Sequence, residues 1–146
     1  MMDQETLVYG VIRCVASHDR LEDLHYRQAN RNAVLALGTT DDFPYLTLDM
    51  FNLPSGQAMQ GTYMTPLIQF AASYRAVEYE WHRWLEKFEH LLKDMYWRSS
   101  TVYLETELSG KHVFSWESRG DFHSPGSQVA QVNCEWEHEL GLFQQR

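Results

Sequence analysis

The chain has 146 residues, 44% of them apolar and 14% aromatic, and carries a net charge of −8. That is enough apolar material for one ordinary domain with a buried core, and too much for a disordered chain. The acidity argues against a nucleic-acid partner, whose phosphates would be repelled, and suits a basic protein partner or plain solubility.

The charge is uneven. Residues 1–65 hold eight acids and four bases, residues 66–98 five of each, and residues 99–146 seven acids and three bases. The opening MMDQETLVYG lacks a basic segment followed by an apolar one, so no secretory signal is expected. No apolar run approaches the roughly 20 residues of a membrane helix. A cytoplasmic setting is the expectation, with Cys14 and Cys134 as reduced, buried thiols. A single disulfide joining the first and last strands is the alternative.

TLVYGVIRCVA (6–16) is rich in β-branched and aromatic residues on both parities, which predicts an interior strand. SHDRLEDLHYRQAN (17–30) predicts a short helix capped by Ser17, with acids in its first turn and Leu21 and Leu24 facing inward. NAVLALG (32–38) reads as a short strand. YLTLDMFNL (45–53) alternates and reads as a second strand, paired with the first as a hairpin. PSGQAMQGTYM (54–64) reads as a loop long enough to be functional.

From Thr65 and Pro66 to about Trp97 there is no Gly and no further Pro. Leu67, Phe70, Tyr74, Val77, Trp81, Trp84, Leu85, Phe88, Leu91, Leu92 and Met95 recur at threes and fours. The spacing predicts one helix over 66–97, kinked or broken near Ser73 or else overhanging the sheet, since it would be roughly 45 Å long. An overhanging apolar end would call for a second copy of the chain to cover it.

Residues 99–120 predict a β-hairpin turning at Ser109–Gly110, and a three-residue loop would set Val102, Leu104, Leu108, Phe114 and Trp116 on one face. QVAQVNCEWEHELGLF (128–143) alternates cleanly, with Ala130, Val132, Cys134, Trp136, His138 and Leu140 on one side and Gln131, Asn133, Glu135, Glu137 and Glu139 on the other. The expected fold is therefore a single α+β domain over 1–146. It is one antiparallel sheet of about five to six strands with a long helix on one face, in the order strand, short helix, two strands, long helix, three strands.

Several constellations resemble chemistry without meeting its requirements. Glu78, His82, Glu86 and His90 step by four along a helix, but His82 and His90 lie about 12 Å apart at 1.5 Å per residue. Adjacent pairs supply only two ligands where zinc needs three or four. A solvated helix face is the better reading, and no metal or cofactor is expected. EWEH (135–138) has Glu-x-x-His spacing on a strand, where the two side chains diverge. His123 in DFHSPG reads as a solvated loop histidine. No nucleophile elbow, Walker or dinucleotide-binding pattern is present.

The acidic ribbon carries the most content. Glu135, Glu137 and Glu139 line one face of the last strand, Glu105 and Glu107 a face of the hairpin with Glu117 nearby, and Tyr103 shares that hairpin face. Clustered like charges oppose folding, so stability alone would not select them. The expectation is a small acidic interaction protein that binds a basic partner, a toxin or effector, through Glu135, Glu137, Glu139, Glu105, Glu107 and Tyr103. Bacterial immunity proteins have this general character, and an inhibitor covering a basic active site would need it. The alternative is a small ligand-binding or enzymatic domain with a pocket between helix and sheet lined by Trp81, Trp84, Trp116 and Trp136.

Overall fold

The computed structural model describes residues 5–53, 66–127 and 133–137, the last of these through the backbone alone. The fold is α+β, built on one wholly antiparallel sheet. Its strands are β1 (Glu5–Cys14), β2 (Phe51–Asn52), β3 (Leu67–Arg75), β4 (Trp97–Thr106), β5 (Gly110–Glu117) and β6 (Asn133–Glu137). The helices are α1 (Arg20–Leu35) and α2 (Trp81–Lys93). The strands run across the sheet as β2-β3-β1-β4-β5-β6. Five have five residues or more, and β2 is a two-residue edge strand.

The helix expected over 66–97 is instead a strand, a turn and a shorter helix. Residues 67–75 also satisfy a period of two: Ile68, Phe70 and Tyr74 are buried while Leu67, Gln69, Ala71, Ser73 and Arg75 are exposed. Pairing decided between the two periods, because β3 bonds along nine residues of β1, from Glu5 opposite Arg75 to Arg13 opposite Leu67. The break falls at Ala76, whose φ of 55° is left-handed without a glycine to announce it. A 3₁₀ turn over Val77–Glu80 leads into α2. At 13 residues α2 is roughly 20 Å long, so it lies within the sheet and the overhang expected to recruit a second copy does not exist.

Two other expectations change for related reasons. The apolar run at 32–38 ends α1 rather than forming a strand, because Tyr26, Asn30 and Val34 fall at steps of four and bury one continuous stripe. Gly38, at φ 72°, closes that end in a conformation few other residues adopt. Asp19 caps the start by accepting from the N–H of Leu21 at 3.0 Å, while the Ser17 hydroxyl donates to Glu22 at 2.7 Å. Leu21 and Leu24 point outward, 78% and 55% exposed. Residues 45–53 are mostly irregular, with a 3₁₀ turn at Leu48–Met50 before β2. Lys87 of α2 pins the preceding loop by donating to the Asp41 carboxylate at 2.9 Å and to the carbonyls of Asp42 and Pro44 at 2.7 and 3.0 Å.

The hairpin has the three-residue loop 107–109, with Thr106 opposite Gly110. Val102, Leu104, Phe114 and Trp116 are buried on one face as the pattern implied, but Leu108 stands in the turn, 71% exposed. Facing them, α2 buries Trp84, Phe88, Leu91 and Leu92. Phe88 meets Phe70 at 5.2 Å and Trp116 at 5.1 Å between ring centroids, and stacks on Trp84. Buried indole N–H groups need acceptors. Trp84 donates to the Tyr74 hydroxyl at 3.0 Å, Trp97 to the Leu92 carbonyl at 2.8 Å and Trp116 to Glu89 at 2.8 Å.

Candidate functional site

α2 and the core lie on one side of the sheet, and the register maps the other side as a grid. Its central row runs Ala71, Tyr9, Tyr103, Val113 and the Glu135 position across β3, β1, β4, β5 and β6. The next row runs Ser73, Leu7, Glu105, Lys111 and the Glu137 position. In β1, β3, β4 and β5 these positions alternate with the core residues, so the strand period itself sends them outward. Leu7 and Leu67 are 40% and 42% exposed, and Tyr9, Val11, Tyr103 and Val113 are half-buried. β1 is thus interior because strands flank it, while among the described residues its second apolar face meets cross-strand neighbours rather than another layer.

The middle of this outer face is aromatic. Tyr9 and Tyr103 stack at 5.1 Å with planes 14° apart. The Tyr9 hydroxyl donates to the Glu105 carboxylate, and the Lys111 ammonium sits 5.6 Å from the centre of the Tyr103 ring. Each contact costs one side chain its freedom, so together they present the two rings in one orientation. Beside them Tyr9, Val11, Asn52, Gln69, Ala71 and Tyr103 line a shallow depression of about 490 Å³.

The carboxylates expected to share a surface are partly brought together. Glu105 lies on the outer face, Glu107 is exposed in the adjoining turn, and the Glu135 and Glu137 positions pair with Val113 and Lys111 at the same end of the sheet. Lys111 therefore stands between two carboxylate positions, which the acidic pattern alone did not reveal. Glu117 pairs with Ser99, six residues along β5 from Lys111, or about 20 Å away at 3.3 Å per residue, and does not join them. Glu139 lies outside the described residues. Glu5 adds a carboxylate at this end of β1, opposite Arg75 of β3 in the register, and accepts from the Ser73 hydroxyl at 2.6 Å.

The other constellations resolve as packing. His82 and Glu86 meet at 3.3 Å with side chains 85% and 66% exposed, a solvated helix pair. Glu78 has left that column for the 3₁₀ turn and accepts from the Thr6 hydroxyl at 2.7 Å. Among the described residues no group of three or more His, Cys, Asp or Glu side chains converges as a metal site would. His123 is a correction: it is 5% exposed and stacks on Trp97 at 4.9 Å. Its ring nitrogens lie 2.9 and 3.1 Å from the carbonyls of Met95 and Ser127, so it locks its loop onto the end of α2.

Trp84 and Trp116 have no exposed surface and build the core rather than lining a cavity. Cys14 is a buried free thiol. Two strands, β4 and β5, separate β1 from β6. That is about 14 Å at the usual spacing, too far for the disulfide considered above. Among the described residues no helix is long and apolar enough to cross a membrane. No protein-family model, curated protein or solved structure matches this chain.

Proposed function

We propose that this chain is a protein-binding domain that docks a basic partner on its outer sheet face. The observation that carries the reading is the Tyr9–Tyr103 stack, held by Glu105 and Lys111 beside the acidic end of a sheet face that no other element covers among the described residues. Rigid, half-buried tyrosines lose little entropy on binding and are common anchors, while surrounding carboxylates speed encounter with a cationic surface. In its narrower form the domain is an immunity-type inhibitor that neutralises a toxin or effector by covering a basic active site. The net charge of −8 and the grouping of Glu105, Glu107 and the Glu135 and Glu137 positions support that form.

The test is capture from the native host at low salt, followed by binding measurements with the purified partner. A basic protein is expected, whose affinity falls as salt rises. Tyr103→Ala and the paired Glu105→Lys and Glu137→Lys changes should each weaken it by about tenfold or more. Unchanged affinity in both variants sinks the surface assignment. A partner whose activity is untouched in the complex sinks the inhibitor form alone.

A further inference from the structure

Under α1, where β1 ends and β3 begins, lies a cavity of about 420 Å³. Small-ligand sites span roughly 300–1,000 Å³. The floor is mainly apolar: Cys14, Val15 and Ile68 are 4%, 3% and 2% exposed, and the one buried polar side chain beside them, Asn30, is held by the Tyr96 backbone. Burial pushes the Cys14 thiol up to about 12, so at neutral pH it lines the floor as an uncharged group and not as a nucleophile. Leu53 and Pro66, on either side of residues 54–65, complete the wall.

α1 supplies the rim. Leu24, Arg27, Gln28 and Arg31 border the cavity, the one-face spacing of i, i+3, i+4 and i+7. Arg27 is engaged by Asp23, its Nε 2.8 Å from the carboxylate. Arg31 is exposed and has no ion pair or hydrogen bond among the described residues. A free guanidinium over an apolar hollow is a local exception in a chain of net charge −8. The hollow excludes water from an alkyl chain, and the guanidinium fork matches a carboxylate.

We infer that this cavity binds a medium-chain alkyl carboxylate, its chain against Cys14, Val15 and Ile68 and its head group on Arg31. The assignment is independent of the partner-binding face, which lies on the opposite side of the sheet. The intact chain is titrated with decanoate, octanoate and decyltrimethylammonium below their micelle concentrations and with decanol below its solubility limit, by calorimetry and by backbone amide shifts.

Decanoate should saturate one site and shift the amides of Cys14, Val15 and Ile68. Octanoate should bind about tenfold more weakly, since each buried methylene tightens binding by about fourfold at most. The alcohol, the cation and Arg31→Glu should each cost about tenfold or more, the loss of a charge-assisted bond. Leu24→Trp at the mouth should block entry. Both altered positions are exposed, so the variants keep the fold, which circular dichroism checks. Absence of saturation, equal affinity for the three head groups, or shifts confined to the outer sheet face would overturn the assignment.

Discussion

On the inner side of the sheet Val8, Ile12, Val102 and Trp116 have no exposed surface. One residue along the same strands, Leu7 is 40% exposed and Tyr9, Val11 and Tyr103 are half-buried. The side chains are of similar kinds, so composition does not explain the difference. α2 supplies partners to one side, whereas among the described residues the other has only its cross-strand neighbours. Inner residues therefore set stability through close packing, and outer ones are free to be selected for what they touch.

Gly10→Ala should do the most damage. A Cβ there would lie 2.2 Å from the Thr101 carbonyl and 2.8 Å from the Phe70 ring, and the carbonyl cannot move without breaking the β1–β4 ladder. Chemical denaturation should show a loss of about 3 kcal/mol or more. A loss below about 1 kcal/mol would mean that the inner side is more loosely packed than the comparison requires.

Tyr74→Phe comes next. The Tyr74 hydroxyl accepts from the buried Trp84 N–H and donates to the Tyr45 carbonyl, so its removal strands both and should cost about 1–3 kcal/mol. Burial pushes this hydroxyl up to about 12, with the Trp84 hydrogen bond opposing and the Asp41 charge adding. A raised folded value means that the neutral form is favoured. The contribution is whole below pH about 10, where tyrosine ionises in the unfolded chain, and disappears as pH rises through the folded value. Alkaline unfolding curves of the two proteins should therefore converge above pH about 10.

Tyr103→Ala should be mildest for the fold, about 1 kcal/mol from the lost Tyr9 stack, and severe for partner binding. That reversal of order, small in stability and large in affinity, sharpens the contrast between the two faces. A Tyr103→Ala protein as damaged as Gly10→Ala would erase it.

Where period and partner agreed, the residues alone were sufficient. The hairpin, its three-residue loop and the inward set Val102, Leu104, Phe114 and Trp116 follow from alternation on two strands that must lie side by side. The antiparallel α+β class and the solvated His82–Glu86 pair were legible for the same local reason. The outward tyrosine and Glu105 were readable from parity. Tyr9 was not, because only the β1–β4 pairing sets it against Tyr103.

Residues 66–76 fit periods of 2 and 3.6 equally, and nine residues of β1 chose between them. The first part of the run at 32–38 became the last turn of α1, up to Leu35, because Val34 extends a stripe begun at Tyr26. His123 left solvent because Trp97 and two carbonyls lay within reach. The sequence by itself determined the dry and wet sides of β4, β5 and α2, since there hydrophobicity and local period agree. Tertiary structure decided which segments are neighbours, which ambiguous period prevails and which charges meet. Those outcomes depend on pairing free energies between residues far apart in the chain, to which no local pattern has access.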